Sequence, residues 1–167
     1  KAILNYNKAI EINPYFALAY NNRGLVYIKK GNLDEAISDF NKAIEIDPYF
    51  ALAYNNRGLV YIKKGNLDEA ISDYSKAIKI YPLPQAYANR GLLYQTQGNL
   101  DEAISDFNKA IEINPKYVQF YHDRAITYFY KKEYGKSWED IHKIESLGGK
   151  VDPHFLKDLK KASARLR

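Results

Sequence analysis

The stretch PYFALAYNNRGLVYIKKGNLDEAISD occupies residues 14–39 and returns letter for letter at residues 48–73. A catalytic centre is a single constellation and gains nothing from a second copy, whereas a long, regular surface is made by copying. The spacing outlasts the exact duplicate. Pro14, Pro48, Pro82 and Pro115 lie 34, 34 and 33 residues apart, while Gly24, Gly58, Gly91 and Ala125 lie 34, 33 and 34 apart. Two independent series keeping one period predict a stack of like units.

Each unit reads as two amphipathic helices. The first spans about Ala17 to Lys30 and stops at Gly31, where glycine can take the left-handed conformation. Asn32-Leu33-Asp34-Glu35 has the spacing of a capping box, and the same four letters recur at Asn66 and Asn99. The second helix spans about Asp34 to Ile46 and ends before Pro48, which cannot continue it. No segment alternates as a strand does, so the expected fold is all-α.

The pattern Tyr20-x2-Arg23-Gly24-x2-Tyr27, Ala36-x3-Phe40, Pro48 resembles the tetratricopeptide repeat, a 34-residue helix–turn–helix unit. Arg23 departs from it, since leucine is usual there. The resemblance implies a right-handed superhelical solenoid of antiparallel helix pairs. It divides the chain into the second helix of an incomplete leading repeat (1–13), repeats at 17–50, 51–83 and 84–117, and a degenerate repeat at 118–149. A capping helix with a basic tail (152–167) follows. In the degenerate repeat Ala125 replaces glycine, Ile144 replaces alanine, Gly148-Gly149 replaces the turn proline, and Glu133-Tyr134-Gly135-Lys136 replaces the capping box. Lys157, Lys160, Lys161 and Arg165 around Phe155, Leu156 and Leu159 suit a helix that closes the stack. At the other end an unpaired helix leaves an apolar flank, to be covered by further repeats or by another molecule. The opening at Lys1 rather than Met leaves a longer or processed parent chain open.

At about 100° per residue, Tyr20, Arg23, Gly24 and Tyr27 share the seam side of the first helix, so the tyrosine stripe is expected to be core. The opposite side, by the resemblance, lines a concave face that holds peptides. Across the units this side presents Asn22, Asn56, Asn89 and Asp123. Beside them run Leu25, Leu59, Leu92 and Ile126, with Leu18, Leu52 and Gln119 at one end and Lys29 and Lys63 at the other. Asparagine is a poor helix-interior residue, but its carboxamide offers the donor and acceptor that an extended backbone needs. Family members that hold extended peptides use such a ladder; Asp123 departs from it. The bland alternative is solvated amides with leucines packed on neighbouring helices. The family's clamp for a C-terminal carboxylate is mostly missing, because Asn21, Asn55, Ala88 and His122 stand where it wants basic side chains. Each unit also pairs an arginine (Arg23, Arg57, Arg90, Arg124) with an acid sixteen residues on (Asp39, Asp73, Asp106, Asp140), which predicts a structural ion pair in each.

Chemistry is sparse. His122, His142 and His154 lack metal-ligand spacing, and Ser137, Asp140 and His142 point different ways on a helix, against a nucleophile triad. No phosphate loop occurs. No cofactor and no catalysis are expected. The absence of cysteine excludes disulfides and fits a reducing compartment. With no signal pattern and no apolar span, a cytoplasmic location is expected. The net charge is +5, of which Lys150 to Arg167 carry +4 (six bases, two acids), so the body is near neutral. Nucleic acid or an anionic membrane is a rival partner for that tail only, and neither is expected. The expected role is a noncatalytic scaffold binding a protein or peptide ligand. Self-assembly into a homo-oligomer through the N-terminal helix is the alternative.

Overall fold

The computed structural model describes residues 1–164, so the basic tail residues Arg165, Leu166 and Arg167 lie outside the described part. Ten helices and no strand occur among the described residues. The chain divides into two compact units, Lys1–Ala86 and Tyr87–Arg167. The first contains α1 (Ala2–Ile12), α2 (Ala17–Lys30), α3 (Leu33–Ile46), α4 (Ala51–Lys64) and α5 (Leu67–Ile80). Helix α6 (Pro84–Thr96) leads into the second, which contains α7 (Leu100–Ile113), α8 (Val118–Tyr130), α9 (Tyr134–Ser146) and α10 (Pro153–Ala164). The expected spans for the helices of the first repeat hold to within one residue.

The helix stops form as the glycines require. Gly31 adopts φ 80°, its amide donates to Ile28 O (3.0 Å) and the next amide, of Asn32, reaches back to Tyr27 O (3.0 Å). This paired closure satisfies two orphan carbonyls, and it recurs at Gly65 and Gly98. In the last repeat Lys132 takes the same conformation at φ 62°, with Lys132 N on Phe129 O and Glu133 N on Tyr128 O.

The capping boxes at Asn32, Asn66 and Asn99 do not form, because none of these side chains bonds a backbone amide of the following helix. Their ψ of 74°, 74° and 68° departs from the extended value of an N-cap and swings the side chain away. Asn32 donates instead to the Glu35 carboxylate at 3.1 Å. A true cap does form at Asp152, whose Oδ1 accepts from His154 N (2.6 Å) and Phe155 N (3.1 Å) at the start of α10. These two amides hold its carboxyl below the ordinary aspartate range.

Inside the first three pairs, a ring from the second helix lies on a glycine of the first. Phe40, Tyr74 and Phe107 are fully buried, each burial worth about 2–3 kcal/mol. A Cβ at Gly24 would sit 2.8 Å from Phe40, at Gly58 3.0 Å from Tyr74, and at Gly91 3.1 Å from Phe107. In the last repeat Ala125 and Ile141 occupy the same places in one buried cluster with Tyr121, Ile144 and Leu159. Leu159 comes from α10, with Phe155 and Leu156 half-buried beside it and Lys157, Lys160 and Lys161 exposed. Helix α10 therefore closes the second unit as its pattern predicts.

Candidate functional site

The four arginines are built into the helix pairs. Each guanidinium grips the aspartate sixteen residues on with two bonds, Nε to Oδ2 and Nη2 to Oδ1. These measure 2.8 and 2.6 Å for Arg23–Asp39, 2.7 and 2.7 Å for Arg57–Asp73, 2.8 and 2.8 Å for Arg90–Asp106, and 2.9 and 2.6 Å for Arg124–Asp140. The expected pairing holds, within the repeat in all four cases. Nη1 of Arg23, Arg57 and Arg124 also donates to Asn7, Asn41 and Asn108 on the preceding repeat's second helix, at 2.8, 2.6 and 2.5 Å. One arginine thus ties three helices together, with forked geometry that lysine cannot reproduce. These asparagines escaped sequence analysis because an amide on an outer helix looks like solvated surface; their sixteen-residue offset ahead of each arginine was the available signal.

The tyrosines that flank each arginine sit with their ring centroids 5.4–6.0 Å from its guanidinium carbon, Tyr54 and Tyr61 on either side of Arg57 and Tyr121 and Tyr128 of Arg124. The stripe is buried or half-buried throughout, packing as seam and stacking on cations. The carboxylate hydrogen bond holds the arginines of the first three pairs protonated against the opposing effect of burial. At the fourth pair burial pushes the Asp140 carboxyl above the ordinary aspartate range, opposed by its bond from Arg124.

The amide row is next. In the first unit Asn21, a flank residue by sequence, is 3% exposed and bridges the two ladder positions. Its Oδ1 accepts from Asn56 Nδ2 (2.9 Å), and its Nδ2 donates to Asn22 Oδ1 (3.2 Å). Asn55 Nδ2 reaches Asn56 Oδ1 at 3.4 Å, and Asn55 Oδ1 is buried without a partner among the described residues. The amides thus run in one direction across α2 and α4, and the Asn22 carboxamide stands at the end of the run. Asn22 and Asn56 are half-buried, neither sealed nor fully solvated. Around them Leu18 and Leu52 are 45% and 46% exposed, Lys29 and Lys63 are exposed, and Leu25 and Leu59 are half-buried. Leu25 leans on the Ala36–Phe40–Val60 core, so part of its surface is already used. Leu52 lines an open apolar groove of about 450 Å³ with Tyr49, Phe50, Ile80, Tyr81 and Leu83.

In the second unit Asn89 and Ile126 are half-buried and Leu92 is 37% exposed. Asp123 is buried and accepts from Gln119 Nε2 at 2.8 Å. Gln95 joins α6 to α8 through Thr127 Oγ1 (2.6 Å) and Asp123 O (3.3 Å). Neither contact was foreseen, because isoleucine holds the place of Gln95 in the first two repeats. A larger groove of about 680 Å³ borders Trp138, Lys136 and Lys160 and contains none of the peptide-binding residues expected from sequence.

Ser137 Oγ donates to Ala125 O at 2.8 Å, and Asp140 is committed to Arg124, so neither faces His142. Among the described residues no group of three or more His, Cys, Asp or Glu can hold a metal, and no described helix is long and apolar enough to cross a membrane.

Family models described as TPR repeat match residues 1–31 and 24–65; others described as Tetratricopeptide repeat match 51–82, 84–117 and 107–139. A search of curated proteins finds no match. Among solved structures the chain is similar to MamA, with 25% identity and a TM-score of 0.72 over 96% of this chain and 89% of that one. It is also similar to the first TPR of Spaghetti (RPAP3) bound to the HSP90 peptide SRMEEVD, with 28% identity and a TM-score of 0.64 over 66% and 89%. A thermophilic TPR protein of Thermus thermophilus shares 25% identity and a TM-score of 0.67 over 76% and 71%. From its helix pairs, its glycine–ring crossings and these matches, the chain belongs to the tetratricopeptide repeat family.

Proposed function

We propose that the chain is a noncatalytic protein-interaction scaffold, acting in the cytoplasm, whose first helices hold an extended peptide segment. The observation that carries this reading is the amide run Asn55–Asn56–Asn21–Asn22, half-open to solvent and flanked by exposed Leu18 and Leu52. Mid-helix amides tied to one another are pre-ordered, so less side-chain entropy is lost when a peptide backbone binds them. Leu25 and Leu59 offer apolar contact beside the row, and Lys29 and Lys63 supply charge at its far end. Asn89, Leu92, Ile126, Gln119 and Asp123 form the corresponding set in the second unit. There the Asp123 carboxylate is occupied by Gln119, so this set contributes less. The Spaghetti structure holds the peptide SRMEEVD, which is acidic. Here the basic clamp positions are Asn21, Asn55, Ala88 and His122, and that peptide is not the expected ligand. A peptide-library screen with Asn56→Ala as control tests the reading: binders that lose about tenfold in the variant support it, and undiminished binding removes the amide row from the account.

A second reading rests on α1, which contains no buried residue and exposes Leu4 (58%) and Ile12 (86%). Two copies meeting through 1–13 would cover these side chains. Light scattering across a concentration series decides: a mass that doubles and reverts with Leu4→Lys supports self-assembly, whereas a constant monomer mass opposes it.

A further inference from the structure

The second repeat breaks the charge pattern of its neighbours at one place. At the end of α3, Lys42 pairs with Glu45 at 2.8 Å, and at the end of α7, Lys109 pairs with Glu112 at 2.8 Å. The same turn of α5 reads Lys76 and Lys79, and the following Asp47 or Asn114 becomes Tyr81. Between the first and second repeats these three positions go from net −1 (Lys42, Glu45, Asp47) to net +2 (Lys76, Lys79, Tyr81). Neither lysine of α5 has an acidic partner among the described residues. Both line a groove of about 530 Å³ whose other walls are Pro48, Tyr49, Tyr54 and Ile80. Tyr49 is 80% exposed at its rim and Tyr54 only 8% exposed in its wall. The equivalent Tyr121 hydroxyl in the last repeat is bonded to Pro115 O at 2.9 Å, whereas the Tyr54 hydroxyl has no protein partner among the described residues.

Dipole complementarity accounts for a single lysine in a final turn, but not for a second lysine left without its acid beside an aromatic groove. We infer that this groove is a docking site for an acidic segment of a partner protein, distinct from the amide row. One apolar side chain of the segment lies against Tyr49 and Ile80. Carboxylates on either side of it meet the Lys76 and Lys79 ammoniums, and the Tyr54 hydroxyl donates to the bound chain. The volume suits one or two side chains rather than a folded ligand, and two adjacent cations select for acid flanking residues.

The test uses fluorescein-labelled Glu-Glu-Phe-Glu-Glu peptide and its Gln-Gln-Phe-Gln-Gln counterpart, read by anisotropy at low and moderate salt. The acidic peptide binds with one-to-one stoichiometry and weakens as salt rises; the neutral one binds at least about fivefold more weakly. Lys79→Glu restores the sequence of the neighbouring repeats and their Lys–Glu pair, so the variant folds, and it loses at least about fivefold in affinity. Glu45→Lys, which copies the lysine pair onto α3 beside Tyr15 and Tyr20, raises the stoichiometry toward two. Equal binding of both peptides, no change in Lys79→Glu, or tighter binding of a thymidine oligonucleotide than of the acidic peptide would each overturn the inference. Asn56→Ala leaves this binding unchanged, which separates it from failure of the amide row.

Discussion

In the first repeat the ring of Phe40 lies on bare backbone at Gly24, while in the last repeat Ala125 and Ile141 hold the two corresponding places in one buried cluster. The two crossings hold comparable volume divided differently between partners: a methyl gained on one helix is matched by a smaller side chain on the other. The same contrast appears at the turn, where Gly31 in the first repeat and Lys132 in the last take one conformation. The ion pair does not vary. Arg23–Asp39 and Arg124–Asp140 have the same fork, and both arginine side chains are 19% exposed. What passes from repeat to repeat is a set of paired solutions, with the charged fork held most strictly because it has no equivalent of different shape.

That contrast can be broken at its strictest point first. Asp73→Ala leaves Arg57 half-buried without its carboxylate and is expected to cost about 3 kcal/mol. Asp140→Ala should cost a similar amount if the forks are equivalent. Urea denaturation followed by circular dichroism measures both, and a negligible loss at either site would mean that the fork is ornamental there. Next, Gly24→Ala forces a Cβ to within 2.8 Å of a fully buried ring. Overpacking of about 1–3 kcal/mol is offset by roughly 1 kcal/mol of helix propensity, leaving a net loss of about 0–2 kcal/mol. The wider gap at Gly91 makes Gly91→Ala milder. Combining Gly24→Ala with Phe40→Ile recreates the pair of the last repeat and recovers most of the loss; a double variant worse than the sum of both singles would refute the exchange.

The turn gives a smaller effect. Lys132 holds a left-handed conformation that costs about 1 kcal/mol or more for a side-chain residue, partly offset by the greater freedom glycine has when unfolded. Lys132→Gly is therefore expected to stabilise by roughly 0.5–1 kcal/mol, and Gly65→Lys to destabilise by a similar amount. Smallest is the pH response of α10. The Asp152 carboxyl titrates below its ordinary value because its charged form caps the helix. The stability it contributes is full above an unfolded-state value of about 3.9 and is lost as the pH falls through the lower folded value. Trp138, the sole tryptophan, contacts Ser163 of α10 at 3.4 Å, so its fluorescence reports the change. Asp152→Asn keeps the cap acceptor but should flatten that acid-side response.

Most of the fold was legible because period and helix stops are one-dimensional signals. Pro48, Gly31 and the Gly24 series fix where helices begin, end and cross without reference to partners. The capping boxes failed because spacing specifies which residues can meet and not the ψ that lets them. The candidate site was less legible. Helical phase put Asn22, Asn56 and Leu18 on one side, but it could not show that Asn21 is drawn between α2 and α4 to link the amides. Nor could it show that Gln119 occupies Asp123. The first depends on the distance between helices and the second on a choice of rotamer, neither of which the letters encode.

The account turns on whether the amides of Asn22 and Asn56 touch a ligand. Side-chain amide resonances in a nitrogen-15 correlation spectrum, followed as a screened peptide is added, measure this directly. Shifts at Asn22, Asn56 and Asn21, with the backbone amide of Ser137 unmoved, are the predicted result. Binding that leaves those three amides unshifted would contradict the account.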